Sequence, residues 1–394
     1  MSLAHERARQ VMSLLLKKIK FSPIVSIQGP RQCGKSYLAA KLLPKKLSST
    51  DFKTLDTRET RQLADQNPRI FLESTNKKHL IIDEVQKVPH LFDEMKAVVD
   101  ENRKPGQFIV LGSTEFSIEA KIKESLTGRL SRIKVYPLNL SETKKMELNP
   151  IRNFPFVGNK ARVHRKEVLK YLVNGGLPGI FVVKSELEKH NLMRDWIDLT
   201  VTRDIFQFKD KNLDSELAEQ ILQCISTLDE ATAIFISNAT GKSTSVIQKH
   251  IKALKNLFVI DEVKPYLKSA GKPVYYICDI GILNYYKATL DKKVTTWLLL
   301  ELKSQLSYKG EQSDKIFYFK SARSKPIQFI HQIGKKLTAV KVVSADSFDQ
   351  RDLLIFESIK KKHPHLEHCF HVLYGGSQQL EIDNILISPW EYVV

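Results

Sequence analysis

The sequence predicts an α/β protein: a doubly wound parallel sheet in the first third, then a winged-helix-like segment and a further α/β module. Three observations predict it. A β-branched run, Ile24 to Gln28, passes through a glycine-rich stretch into helical spacing at Leu38, Leu42 and Leu43. Apolar strands recur near Leu55, Leu80, Ile109 and Val135 with helical patterns between most of them, and such alternation builds a parallel sheet that binds ligands at its strand carboxyl ends. Further on, Val246, Ile247, His250, Ile251, Leu254 and Leu257 share one helical face after a Ser/Thr cap, and the strand FVIDEV follows.

Bulk properties narrow the class. With 394 residues, 42% hydrophobic and 27% charged, the chain has material for two or three packed domains and is not disordered. Cys33, Cys224, Cys278 and Cys369 are scattered without a C-x-x-C pair, which points away from zinc knuckles and disulfide frameworks and toward a reduced, cytoplasmic setting. No apolar run approaches the ~18 residues that span a bilayer, so no membrane partner is expected. The net charge of +18 is spread over many lysines and favours polyanions, nucleic acid or an acidic protein. Turn formers without periodicity mark a linker over 141–160, between a first domain at 1–140 and a helical, winged-helix-like region at 161–270. Residues 271–394 form the C-terminal module.

The chemistry sits in the first domain. In GPRQCGKSYL, Gly29, Gly34, Lys35 and Ser36 complete G-x-x-x-x-G-K-[ST] between a strand and a helix, where backbone N–H groups converge on a phosphate. Gly29, Pro30, Arg31, Gln32, Cys33, Gly34, Lys35, Ser36 and Tyr37 are the expected nucleotide contacts, with ATP and Mg²⁺ as ligands. Lys35 reaches the β and γ phosphates, and Ser36 ligates the metal. A second GKS, at Gly241 to Ser243, has Ile236 where the first glycine belongs and lies between two helical patterns, so it is a decoy. HLIIDEVQ ends an apolar strand in Asp83, for the Mg²⁺ shell, and Glu84, to orient and polarise the attacking water. QFIVLGST ends in Ser113, either a sensor of the γ phosphate or a simple helix cap. ESLTGRLSRI offers Arg129 and Arg132; either is an arginine finger or a surface residue in a glycine turn.

GPRQCGKS, LIIDEVQKVP, VLGS and LTGRL together resemble the bacterial and archaeal AAA-type P-loop ATPases that carry a C-terminal DUF4143 domain. YLVNGGLPG, VTRDI and YYICDIGILN resemble downstream elements of that family, so the likeness covers nearly the whole chain. The resemblance places Arg129 on the family's Gly-Arg position, as a finger; because helices after the sensor strand lie at the sheet rim, it is expected to act in a neighbouring protomer of an ATP-dependent homo-oligomer. It also implies a restriction-endonuclease-like C-terminal core. There KPIQFIHQ has Ile327 and Gln328, and TAVKV has Ala339 before Lys341, where the family's acids would lie, so the module is read as a degenerate, silent binding platform. Lys335, Lys336 and Lys341 are its expected contacts to phosphate or to an acidic protein, while Lys249, Lys252 and Lys255 lie off the apolar face of the winged-helix-like segment, whose helix serves either phosphate contact or protein packing. The function implied is a slowly hydrolysing ATPase that switches this basic module. A nucleic-acid-binding scaffold and a small-molecule phosphotransferase on the same P-loop are the alternatives.

Overall fold

The computed structural model describes residues 7–115, 126–208, 210, 212–266, 271–321 and 324–394. The chain forms two compact units: Met1–Leu138 with 256–258 and 307–310, and 139–255 with 259–306 and 311–394. Among the described residues no helix is long and apolar enough to cross a membrane.

In the first unit β1 (Ile24–Gln28), β2 (Thr50–Thr54), β3 (His79–Asp83), β4 (Phe108–Gly112) and β5 (Leu130–Lys134) are all parallel, in the order β2-β3-β4-β1-β5. Every residue of β1, β3 and β4 is buried, as strands covered on both faces by helices must be. The helices are α1 (Met12–Ile19), α2 (Lys35–Tyr37), α3 (Arg58–Gln66), α4 (Pro68–Glu73) and α5 (Leu91–Glu101). Alternate residues of the strands, Leu80 and Ile82, Phe108 and Val110, pack with Phe71 of α4 and with Phe92 and Met95 of α5 in one apolar core. Helix α2 continues without a break through a π-helical turn, Leu38–Leu42.

The second unit opens on α6 (Leu140–Thr143), and the linker expected over 141–160 is instead a packed segment. Asn139 and Glu142 cap α6 reciprocally, Asn139 accepting from Glu142 N at 2.8 Å and Glu142 accepting from Asn139 N at 3.2 Å. The buried Glu301 carboxylate accepts from Leu140 N at 3.0 Å, and Asn149 donates to the carbonyls of Phe156 and Val393 at 3.0 and 3.2 Å. Turn-forming side chains resemble a linker locally; here their polar groups serve buried hydrogen bonds.

Helices α7 (Arg165–Asn174), α8 (Glu186–Leu199), α9 (Ser215–Thr227), α10 (Ala233–Thr240) and α11 (Thr244–Asn256) lead into an antiparallel pair, β6 (Ile260–Pro265) and β7 (Val274–Ile277). Gly241 of the second GKS ends α10 in a left-handed cap with φ 68, a helix-stopping role. Strand β6 also pairs with β8 (Ile316–Ser321), followed by β9 (Ser324–Ile333), β10 (Lys336–Val343), β11 (Glu367–Tyr374), β12 (Leu380–Ile382) and β13 (Ile385–Pro389). The result is one mixed sheet, ordered β12-β13-β11-β10-β9-β8-β6-β7. The boundary expected at 270 is therefore corrected: ladder bonds between β6 and β8 run across it.

In this sheet Ile327 and Ala339 are core residues, and Gln328 accepts from Val342 N at 2.8 Å. Lys341 is 1% exposed, and its ammonium donates to the carboxylate and carbonyl of Asp352 at 3.0 and 3.1 Å. Its expected contact with phosphate is thereby corrected, since its charge is neutralised inside the module. Lys335 and Lys336 are exposed at the β9–β10 turn.

Two distant sequence elements meet at Asp279, the cap of α12 (Ile280–Tyr285), which precedes α13 (Leu290–Lys309) and α14 (Leu354–Lys362). Its carboxylate accepts from Gly281 N at 2.8 Å and from Gly176 N at 2.7 Å. A Cβ on Gly175, at φ +68, would stand 2.2 Å from Asp279 Oδ1, so only glycine fits. Burial pushes the carboxyl up to about 6, against the pull of these backbone donors. Asp279→Ala removes a cap worth about 1 kcal/mol and strands a buried N–H at about 1–3 kcal/mol. The expected loss is about 2–4 kcal/mol, read from the urea midpoint; an unchanged midpoint would mean that the cluster holds nothing.

Candidate functional site

The phosphate-loop residues lie between β1 and α2. Gly29 leaves no space for a side chain, because a Cβ would lie 2.1 Å from the carbonyl oxygen of Val135 and 3.2 Å from Cys33 Sγ. Gln32 and Gly34 take left-handed φ values of 58 and 96, the kind of backbone that turns N–H groups into an anion-binding concavity. Pro30 and Cys33 are buried, Arg31 is partly exposed, and Gln32, Ser36 and Tyr37 are exposed. Arg9 supports the loop: its guanidinium donates to the carbonyls of Cys33 and Tyr136, each at 2.7 Å, and is only 5% exposed. Sequence reading missed Arg9, because nothing near it in the chain signals these partners.

Lys35 is closed onto its own loop. Its buried ammonium donates to the carbonyls of Gly29 at 2.9 Å and Pro30 at 2.8 Å. Strand β4 runs between β1 and β3, so the residues that follow it, Ser113 and Thr114, emerge between the loop and the acidic pair. At the end of β3, Asp83 is buried and accepts from Glu84 N at 3.0 Å. Glu84 has a left-handed φ of 57, which turns the chain into the tight turn Val85–Lys87. Burial, and then the Asp83 charge, raise the Glu84 carboxyl above the ordinary carboxylate range, while Lys35 pulls it down.

The turn swings Gln86 back into the site, and this residue too escaped the sequence reading. Its carboxamide donates to Glu84 Oε2, and to Ser113 Oγ at 3.4 Å. Among the described residues its own oxygen is buried without a hydrogen-bond partner. Gln86 thus ties the acid that follows β3 to the hydroxyl that follows β4, and leaves an acceptor there for a water or a ligand. Because its donor favours the ionised acid, Gln86→Ala should lower turnover about tenfold and move the acid limb of the pH–rate profile upward. A profile superimposable on the parent's would exclude this positioning role.

Arg129 is elsewhere. Strand β5 runs from Leu130 beside Ile24 to Lys134 beside Gln28, so Arg129 precedes the strand at the sheet edge opposite the loop. Five residues at about 3.3 Å each separate it from the loop end by roughly 16 Å. Its guanidinium grips Asp100 with two bonds of 2.6 and 2.9 Å. Within its own chain it is therefore held away from the loop. The reason is strand direction: the loop follows β1, whereas the Gly-Arg pair precedes a parallel neighbour. Arg132 lies mid-strand beside Ser26, facing solvent.

Residues 21–144 match a family described as an AAA domain, and residues 165–293 match a domain of unknown function, DUF8612, where the resemblance had suggested DUF4143. An uncharacterized protein of Mycobacterium tuberculosis, Rv2008c, and its Mycobacterium bovis counterpart, Mb2031c, are each 24% identical over 288 residues, 70% of this chain and 58% of theirs. The chain thus spans little more than half of these relatives. Among solved structures, the Walker-type ATPase PABY2304 of Pyrococcus abyssi has TM-score 0.45 at 12% identity, over 73% of this chain and 99% of its own. The Thermotoga maritima RuvB Holliday junction branch migration motor has TM-score 0.32 at 16% identity, over 69% of this chain and 93% of its own. Residues 21–144 thus match an AAA domain, and residues 165–293 match a domain of unknown function.

Proposed function

We propose that the chain binds ATP with Mg²⁺ and hydrolyses it slowly, as a nucleotide-dependent switch for its basic C-terminal part. One observation carries this reading. The loop after β1, Ser113 after β4, and Asp83 and Glu84 at the end of β3 converge at the carboxyl ends of three adjacent strands, with Lys35 close enough to act on Glu84. The exposed Ser36 hydroxyl and the Asp83 carboxylate are hard oxygen donors that suit Mg²⁺, which when bound neutralises charge on the β and γ phosphates.

Lys35 must exchange the carbonyls of Gly29 and Pro30 for phosphate oxygens, so it enters the bound state only after breaking two good hydrogen bonds. Glu84 orients and polarises the attacking water, with its carboxylate held by Gln86 and Ser113 within reach of the same carboxamide. Turnover is slow because both groups start in self-satisfied positions. Arg129 enters only from a second protomer, after releasing Asp100.

The test is phosphate release from Mg·ATP by the full chain over a range of protein concentrations. Release that depends on Mg²⁺ supports the reading, and a per-chain rate that rises with concentration supports a finger in trans. No release above the protein-free blank overturns it.

A further inference from the structure

Between Glu230 and Asp261 the sequence has no Asp or Glu, yet it carries Lys242, Lys249, Lys252 and Lys255. Most of this run is α10, the turn after it, and α11. On α11 Ile247, His250, Ile251 and Leu254 face the core, while Ser245, Gln248, Lys249 and Lys252 are exposed. Those four positions are spaced i, i+3, i+4, i+7, so they form one stripe along the helix. Lys242 is exposed in the preceding turn, where Ser237 donates to its carbonyl at 2.6 Å and fixes the joint between the helices.

Lys255 does not belong to the stripe, because it pairs with Glu262 at 2.7 Å. Asp210 of a neighbouring segment interacts electrostatically with Lys249 and is itself bound by the backbone and side chain of Asn212 at 2.9 Å each. The result is a cationic helix face with hydrogen-bonding side chains interleaved and no acid on its own element.

We infer that α11 is a duplex-DNA-binding helix, with Lys242, Lys249 and Lys252 on phosphates and Ser245 and Gln248 toward the groove. Charge complementarity selects a polyanion, and shape selects the kind. Helix α11 is about 20 Å long and, with side chains, some 10–12 Å across. The major groove of B-form DNA, about 12 Å wide, admits such a helix, whereas the deep, narrow major groove of A-form RNA does not. Gln and Ser match base edges as well as phosphates, which a surface built only to attract an acidic protein does not require. The inference is independent of nucleotide hydrolysis, because it concerns a different unit and is read without ATP.

The experiment is fluorescence anisotropy of a 30-base-pair DNA duplex of mixed sequence with the full chain, without nucleotide. Three phosphate contacts predict a log–log salt slope of about −2.7, which is roughly 40-fold weaker binding at 200 than at 50 mM salt. Lys249→Glu/Lys252→Glu, at exposed positions, should weaken binding at least tenfold and bring the slope to about −1; Lys242→Glu, outside the helix, should also weaken it. Lys335→Glu/Lys336→Glu should leave binding within twofold of the parent. Absence of binding at 50 mM salt, or indifference to the helix variants, would overturn the inference. So would control by Lys335 and Lys336, or tighter binding of double-stranded RNA or polyglutamate than of DNA.

Discussion

Glu84→Gln should retain ATP affinity and lose turnover by about 10²- to 10⁴-fold, the range that a positioned general base supplies. The substitution keeps the size of the side chain and its capacity to accept from Gln86, and removes only the charge. The parent's carboxyl lies above the usual range because it is buried and adjoins Asp83, so its rate should rise with pH through a value higher than that of a free glutamate. Protonation at low pH and the amide substitution are chemically the same loss, and the variant should be flat across that limb. Affinity should hold or improve slightly, since one negative charge near the γ phosphate is gone. Phosphate release and titration with a fluorescent ATP analogue read the two quantities separately. Turnover equal to the parent's would remove Glu84 from the chemistry and leave Asp83 as the acid to examine.

Lys35→Ala should abolish the stabilisation that ATP confers. A ligand present at a hundred times its dissociation constant adds about 2.7 kcal/mol to the parent, and the variant should show essentially none. The same change should also be felt without nucleotide. The Lys35 ammonium donates to the carbonyls of Gly29 and Pro30, and removing it takes that donor from Gly29 and leaves Pro30 with the Cys33 N–H at 3.4 Å, at a cost of about 1–3 kcal/mol. Thermal unfolding with and without Mg·ATP therefore separates two effects: a lower starting melting temperature, and a vanished upward shift. An intact ATP-induced shift in the variant would show that Lys35 supports the loop but does not bind the phosphates.

Residues that act through contiguous sequence were legible without the fold. The loop from Gly29 to Ser36 is one uninterrupted stretch of recognisable spacing, and Asp83 and Glu84 follow directly from the buried strand that delivers them. The parallel sheet was readable for the same reason, since full burial forces an apolar run at each central strand. How far Arg129 stands from the loop of its own chain was not legible, because a Gly-Arg pair says nothing about which end of a parallel strand faces the loop; only the register of β5 on β1 decides that. Gln86 stands in plain view in HLIIDEVQ, but its partnership with Ser113 depends on β4 lying between β1 and β3. Arg9, the 141–160 segment, Lys341 and the pairing of Asp279 with Gly176 were likewise decided by tertiary structure. In each, a polar group is buried and must find a partner, and the partner that meets this need is far away in sequence.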